Sequence, residues 1–199
     1  MKSYFAGRIL VLPFAMLLSI GCAASKRVPL HLDSNFRPTA LNTIAILPVV
    51  DRRSDLSVEC DLRKRVHIPT QEVLADKGYE AVILETFSRD GTVNAEDVAE
   101  MDEKELTSLL PGDTDAIAIV YLEDLRSGWQ REAAIFPCYE FSLDLTGKVV
   151  SKTDGVVWYD KATATKRSCG LLAAAVEQAF AGSAYGDCVE SLFSTLPSR

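Results

Sequence analysis

Three short apolar runs constrain the fold of this 199-residue chain more than any other feature. They lie at residues 44–50, 79–84 and 116–122, and the first and third contain no charged side chain. Such runs are typical of strands that are covered on both faces. Segments of helical composition at 61–77 and 94–110 separate them, and strands joined through a helix are normally parallel neighbours. The sequence therefore predicts an α/β domain with flanking helices, in which the run at 116–122 is central in the sheet.

The first helical segment has an apolar face and a recognisable end. Gly78 follows it and can adopt the left-handed conformation that closes a helix. Pro69 lies inside the segment and is compatible with either a kink or the first turn of a shorter helix. The second segment, 94–110, has acidic residues on one side and apolar residues on the other, which predicts a single amphipathic helix. The apolar face of the first segment carries Val66, Thr70, Val73 and Leu74.

The pattern changes in the C-terminal half of the chain. A polar stretch at 127–129 predicts a bend, and alternating apolar and polar residues at 139–146 predict a strand with one face in water. Residues 152–155 (KTDG) predict a hairpin turn, and amphipathic helices are predicted at 171–180 and 185–196. We therefore expect a mixed sheet with one antiparallel hairpin and a C-terminal helical pair. The return strand is expected to place these residues inward: Val156, Trp158, Ala162 and Ala164.

The N-terminus has the three parts of a secretory signal peptide. Lys2 and Arg8 precede an apolar core at 9–20, and Gly21 lies directly before Cys22. The apolar core is shorter than the roughly 20 residues that a membrane-spanning helix needs. We therefore predict that residues 1–21 are a signal peptide and not a transmembrane helix.

Residues 18–22 (LSIGC) resemble a bacterial lipobox, in which the cysteine thiol receives a diacylglyceryl group and the cysteine becomes the mature N-terminus. Ser19 departs from this pattern, because a leucine is usual three places before the cysteine. The resemblance implies an anchor of fatty acyl chains, such as palmitate, on Cys22. Ala23, a residue without charge, follows the cysteine, as in lipoproteins that are sorted to the outer membrane. The predicted location is thus the outer membrane, facing the periplasm.

The mature chain is predicted to consist of a tether and one domain. Residues 22–41 are polar and show no sustained period, which is typical of a flexible linker. Residues 42–199 carry all the predicted strands and helices, and a chain of this length fits one domain of ordinary size.

The cysteines are consistent with an oxidising compartment. With Cys22 lipidated, an even number of cysteines remains, which permits three disulfide connectivities. Cys169 and Cys188 flank an apolar helical stretch, so we expect that pair, together with a disulfide between Cys60 and Cys138. A four-cysteine metal site is disfavoured because the chain contains no C-x-x-C sequence.

Charge and motifs argue against several classes of function. Removal of residues 1–21 deletes two basic residues and no acidic one, which leaves 19 basic and 28 acidic residues and a net charge of -9. A nucleic-acid partner is therefore not expected. No nucleophile elbow, HExxH, Walker loop or dinucleotide-binding glycine pattern occurs. We predict no catalytic residue, no cofactor and no metal site, and His67 is interpreted as a structural residue at a helix entry.

Residues 86–97 partly match the pattern of a calcium-binding loop. Gly91, Val93 and Asp97 match three places of such a loop, but Thr86 stands where a carboxylate is required. The segment is therefore predicted to be a turn that leads into a helix.

Four pieces of the sequence together resemble a group of bacterial envelope lipoproteins. They are IAILP at 44–48, KGYEAV at 77–82, TDAI at 114–117 and KTDGVVWYD at 152–160. The group includes the curli-secretion lipoprotein, the penicillin-binding-protein activator lipoproteins, the amino-terminal domain of TolB, and lipoproteins of unknown role. The resemblance implies a compact α/β sandwich with a mixed sheet that binds other envelope proteins and has no catalytic activity.

The resulting hypothesis is a lipid-anchored binding or assembly component of the cell envelope, which acts with protein partners and can form a homo-oligomer. The first alternative is a periplasmic enzyme or small-ligand-binding domain whose site is dispersed in sequence, and the second is an oligomeric secretion pore. An enzyme predicts a deep pocket with converging polar groups, whereas a scaffold predicts an exposed apolar patch or an unpaired sheet edge. Trp129 and Phe136 are the candidates for a partner-binding patch, and Trp158 is expected to be buried.

Overall fold

The computed structural model describes residues 27–56, 61–84, 95–108, 110–130, 138–169 and 177–199. Seven strands form one sheet: β1 (His31–Leu32), β2 (Thr43–Ile46), β3 (Val50–Asp51), β4 (Glu80–Ile83), β5 (Ala116–Gln130), β6 (Cys138–Ser151) and β7 (Gly155–Cys169). The α-helices are α1 (Ile68–Asp76), α2 (Ala95–Glu100), α3 (Glu103–Ser108) and α4 (Glu177–Phe193). A 3₁₀ turn at Pro38–Ala40 and a π-helical turn at Arg63–His67 complete the described elements. The predicted α/β class is confirmed.

The sheet is mixed, in the order β1-β7-β6-β5-β2-β4, and β3 pairs with β5 beyond the end of β2. β2 pairs in parallel with both β4 and β5, as expected for strands joined through helices. β5, β6 and β7 form an antiparallel meander, to which β1 adds an antiparallel edge. The apolar run in β5 therefore lies between parallel and antiparallel neighbours, in the centre of the sheet as predicted.

Helices cover both faces of the sheet. Alternate residues of β2 point to opposite sides, so Ile44 and Ile46 belong to one buried cluster, and Ala45, with Leu47 just after the strand, to the other. The larger cluster contains side chains of α1 and α4, and the smaller one contains side chains of α2 and α3. The result is a three-layer arrangement.

The first helical segment resolves the question about Pro69. The chain passes from the π-helical turn directly into α1, and Pro69 lies in the first turn of α1, where its missing N–H is not needed. Gly78 closes the helix with φ of +89°, as predicted. The predicted apolar face is also confirmed, because Val66, Thr70 and Leu74 are fully buried.

The second segment is two helices, α2 and α3, where one was predicted. Asp102 interrupts it by capping α3: its Oδ1 accepts hydrogen bonds from the N–H groups of Lys104 and Glu105, both at 2.8 Å. Glu105 reciprocates, since its Oε2 accepts from the N–H of Asp102 at 3.0 Å. This capping box was legible in the sequence as D-x-x-E.

The predicted bend at residues 127–129 is wrong. Ser127, Gly128 and Trp129 do not bend the chain but continue β5, because they lie opposite Phe141, Glu140 and Tyr139 of β6. The antiparallel part of the sheet is therefore not a single hairpin but a meander of three strands, in which β5 is as long as β7.

The predicted pair of C-terminal helices is a single helix from residue 177 onward, α4, which runs through Gly182 and Ser183. Packing of its buried face against β6 and β7 outweighs the weak helix propensity of glycine. Gly147 of β6 allows this close packing, since a Cβ there would lie 2.9 Å from Cδ2 of the buried Leu192.

Part of the predicted tether lies against the sheet. His31 and Leu32 pair with Tyr159 and Trp158 of β7, and the N–H of Asp33 donates to the carbonyl of Val157 at 3.0 Å. The sequence prediction failed here because a two-residue strand has no period to detect. The described part of this segment, from residue 27 onward, is therefore part of the fold.

Asp115 joins the start of β5 to the start of β2. Its Oδ2 accepts hydrogen bonds from the N–H groups of Asn42 at 2.7 Å and Thr43 at 3.0 Å. Hydrogen bonding from the backbone of Thr43, and then of Asn42, lowers the pKa of this carboxyl group below its usual value.

We expect Asp115→Asn to lower the free energy of unfolding by about 1 kcal/mol at pH 7, because a charge-assisted pair of hydrogen bonds at a partly exposed site is lost. A lowered pKa in the folded state means that Asp115 stabilises the protein at pH values above the unfolded-state pKa of about 3.9, and that this contribution is lost as pH falls through the folded-state pKa. Urea unfolding of both proteins at several pH values between 7 and 2 measures the difference. A difference that stays constant over this range would contradict the assigned role.

Candidate functional site

The outer ends of β5, β6 and β7 form a three-stranded ribbon beyond the rest of the sheet. β2 and β3 pair with β5 only as far as Leu122, and β1 pairs with β7 only at Trp158 and Tyr159. Beyond Leu122, β5 pairs with β6 on one side. On its other side no strand within the described residues pairs with it. This part of β5 is therefore a free edge as far as the structure describes the chain.

A disulfide closes the ribbon. Cys138 and Cys169 are directly opposite each other at the ends of β6 and β7, and their sulfur atoms are bonded. The turn at residues 152–154 and a one-residue β-bulge between Val156 and Trp158 together set this register and thereby bring the two cysteines together. The expected disulfides, Cys169 with Cys188 and Cys60 with Cys138, are corrected by this finding.

Cys188 is a buried free thiol in α4. Its sulfur lies within hydrogen-bonding distance of two carbonyl oxygens, that of Ala162 at 3.5 Å and that of Leu143 at 3.7 Å. Burial raises the pKa of Cys188 to about 12, so the thiol is protonated at neutral pH and is not a nucleophile. Cys60 and Cys22 lie outside the described residues.

Trp129 is the exposed end of an otherwise buried apolar surface. Leu143, Phe141 and Tyr139 of β6 follow one another along the face that α4 covers, and all three are buried. Phe141 packs against Tyr185 of α4, with ring centroids 5.8 Å apart. Trp129 lies opposite Tyr139 and meets its ring edge-on at 5.6 Å, yet 46% of Trp129 is exposed.

The opposite face of the ribbon is polar. Arg126 forms an ion pair with Asp124 at 2.5 Å, and the hydroxyl groups of Ser142 and Thr165 are 3.2 Å apart. The aromatic surface is thus confined to the α4 side. Of the other sequence candidates, Trp158 is fully buried as expected, and Phe136 lies outside the described residues.

The cavity between α1 and α4 does not bring a catalytic set together. A cavity of about 710 Å³ between α1 and α4 is lined by four acidic residues and Lys77, without a histidine. Burial lowers the pKa of Lys77, but its Nζ donates to the carbonyl of Leu196 at 2.7 Å, which is a structural contact. A search of the described residues for groups of three or more His, Cys, Asp or Glu that could hold a metal ion found none. The calcium-loop segment lies largely outside the described residues.

The two histidines each contact a backbone group, and these contacts are in separate parts of the fold. Nε2 of the buried His67 accepts the N–H of Val49 at 2.8 Å, and the ring of His31 lies 3.2 Å from the carbonyl of Val156 on β7. Similarly, the hydroxyl of Tyr79 donates to the carbonyl of Pro197 at 2.7 Å, and burial raises its pKa to about 12. These groups stabilise the fold, and their geometry does not form an acid–base pair.

Comparison with known proteins gives structural neighbours only. No family model matches the chain, and no curated protein matches it significantly. Among solved structures, the hypothetical protein CT253 from Chlamydia trachomatis is similar with a TM-score of 0.51 at 12% identity, over 77% of this chain and 94% of that one. At such identity, this similarity concerns the fold alone.

Bacterial lipoproteins are also among the similar solved structures, as the resemblance of the sequence predicted. Lipoprotein GNA1162 from Neisseria meningitidis has a TM-score of 0.48 at 16% identity, over 64% of this chain and 84% of that one. The PelC dodecamer from Paraburkholderia phytofirmans has a TM-score of 0.43 at 12% identity, over 78% and 89%. Within the described residues, no helix is long and apolar enough to cross a membrane.

Proposed function

We propose that this protein is a non-catalytic binding or assembly component of the bacterial envelope, and that it binds a protein partner through the outer end of the ribbon. The observation that carries the proposal is the position of Trp129. This residue is half exposed on a ribbon that a disulfide closes, beside the free edge of β5.

Three physical properties make this end of the ribbon suitable for protein binding. Tryptophan is enriched among the residues that dominate interface energetics. The ring of Trp129 already rests on Tyr139, so little side-chain freedom would be lost on binding. The edge of β5 beyond Leu122 can accept a strand from a partner through backbone hydrogen bonds.

The sequence supports the location. Residues 1–21 have the parts of a signal peptide and Cys22 ends a lipobox-like sequence, so we assign the mature N-terminus to an acylated Cys22 in the outer membrane. The tether then comprises the few residues before Arg27, and the domain follows it. The partner is another periplasmic protein of the envelope or a second copy of this chain.

Site-specific photocrosslinking in cells tests the proposal. A photoreactive amino acid at Ser127, which is exposed beside Trp129, should give a crosslinked species. The same amino acid at Val82, which is 39% exposed on the edge strand β4, is the matched control and should give much less. The mass of the product distinguishes a dimer of this chain from a complex with another protein.

Trp129→Ala should reduce the partner affinity at least tenfold, since a hot-spot residue contributes about 2 kcal/mol or more. The yield at Ser127 should fall accordingly while the amount of protein stays unchanged. If position 127 crosslinks no better than position 82, or if Trp129→Ala leaves the yield at Ser127 intact, the proposed binding surface is wrong.

A further inference from the structure

The N-terminal end of the described chain is fixed to the domain by a buried carboxylate. Asp160 on β7 is 2% exposed, and its Oδ2 lies 3.3 Å from Nη2 of Arg27 and accepts the hydroxyl of Thr195 at 2.8 Å. Nη1 of Arg27 donates to the carbonyl and hydroxyl oxygens of Ser191 at 2.7 and 2.8 Å. Arg27 is therefore held to β7 and to α4 at once.

This attachment leaves a short connection to the predicted lipid anchor. Four residues, 23–26, separate Cys22 from Arg27. Even a fully extended chain covers at most about 3.6 Å per residue, so Arg27 lies within roughly 18 Å of the acylated cysteine. The domain then cannot stand far from the membrane surface.

The residues that follow Arg27 form an exposed apolar segment, defined here as Val28, Leu30 and Leu32. They are 78%, 62% and 41% exposed, respectively. The other exposed large apolar residues of the described chain are dispersed in sequence, at Leu56, Ile68, Val82 and Trp129. Three such side chains within five residues, next to the point where the lipid is attached, are the kind of surface that inserts into the boundary between headgroups and acyl chains.

A groove of about 760 Å³ extends the apolar segment onto the domain. Val28, Pro29 and Leu32 line one side, and the C-terminal residues Leu196 and Pro197 contribute to it. The charged residues that line this groove, Arg27 and Lys77, are basic, whereas the mature chain as a whole is acidic. Because no acidic residue is among the described residues that line the groove, the lining does not repel the phosphates of membrane lipids.

We infer that the apolar segment and the mouth of this groove are a membrane-contact face, which holds the domain directly on the lipid surface. This inference rests on the proposed anchor at Cys22. It also determines how far the partner-binding surface lies from the membrane. Trp129 is in register with Ser168 of β7, and Ser168 is nine residues from Tyr159, which pairs with β1. The distance along β7 between these two residues is about 30 Å. The end of the ribbon thus remains accessible while β1 is at the membrane.

Quenching of tryptophan fluorescence by brominated lipids tests the inference. The lipidated full-length protein is reconstituted into vesicles of phosphatidylethanolamine and phosphatidylglycerol, with and without brominated acyl chains. The reporter is Ser198→Trp, because Ser198 is exposed, lines the groove and is far from Cys22 in sequence. Val82→Trp, on the β4 edge, is the matched control. The unsubstituted protein gives the baseline from Trp129 and Trp158.

We expect brominated lipid to remove part of the added fluorescence of Ser198→Trp and none of that of Val82→Trp. Val28→Ser combined with Leu30→Ser should abolish the difference between the two reporters, and these side chains are exposed enough for the fold to be retained. Equal quenching of both reporters, or no effect of the double substitution, would overturn the membrane-contact face.

Flotation of the vesicles and the mass of the N-terminal peptide separate this inference from the anchor. A protein that does not float and lacks an acylated Cys22 contradicts the proposed anchor itself. A protein that floats with an acylated Cys22, but whose Ser198→Trp reporter is not quenched, contradicts only the membrane-contact face.

Discussion

Replacing Trp158 with alanine should lower the free energy of unfolding by about 3–5 kcal/mol, which is a large part of the stability of an ordinary domain. Trp158 is fully buried on the α4 side of the sheet, and its ring stacks on Phe193 of α4 at a centroid distance of 5.1 Å. Its Nε1–H donates to the hydroxyl of Thr195 at 3.1 Å, and that hydroxyl donates in turn to Asp160. The substitution therefore creates a cavity between β7 and α4 and leaves the hydroxyl of Thr195 without this donor.

Chemical denaturation followed by far-ultraviolet circular dichroism measures this loss. Trp129→Ala is the matched control, because it truncates the same side-chain type at a half-exposed site and should cost less than about 1 kcal/mol. Trp158→Phe should lie between the two, since it keeps most of the apolar volume and removes the hydrogen bond. Equal losses for the two alanine variants would show that the α4 side is not the main core.

The parallel part of the fold could be predicted because the residues of each strand or helix themselves indicate its structure. The runs that became β2 and the first part of β5 are apolar because both of their faces are buried, and Gly78 marks a helix end because of its left-handed conformation. Trp158 was likewise assigned inward from the alternation along β7. Each of these features depends on residues within one element.

The errors concern residues whose structure depends on distant partners. Ser127, Gly128 and Trp129 have a turn-like composition, but their backbone groups pair with β6, so they extend a strand. The disulfide also depends on strand register: Cys138 faces Cys169 because the turn at 152–154 and the β-bulge between Val156 and Trp158 together align β6 with β7, and the turn alone would place Cys138 opposite Ser168. Spacing along the chain alone did not contain that information.

One feature of the N-terminal attachment was detectable in the sequence. Asp160 is two positions from both Trp158 and Ala162, so the alternation of a strand places its carboxylate on the same inward face as these side chains. An inward charge in a strand requires a partner, because burial of an unpaired carboxylate is costly. The partner, Arg27, is 133 positions away in what reads as a linker, so the need for a partner was predictable although its identity was not.

Replacing both Cys138 and Cys169 with serine should lower the free energy of unfolding by about 3–4 kcal/mol. The disulfide spans 31 positions, and closing a loop of that size restricts the unfolded chain more than the folded one. The double variant avoids the unpaired thiol that a single substitution would leave. Urea unfolding under oxidising conditions measures the difference, and a reductant should bring the unsubstituted protein down to the stability of the variant without changing the variant.

Peptide mapping without reduction distinguishes this pairing from the others. It should find Cys138 linked to Cys169 and Cys188 as a thiol that reacts only after denaturation, because Cys188 is buried. A link between Cys169 and Cys188, or between Cys60 and Cys138, would contradict the strand register. Because the disulfide closes the end of the ribbon that carries Trp129, the double variant should also reduce crosslinking from Ser127. Unchanged crosslinking would mean that the strands alone hold the proposed binding surface in place.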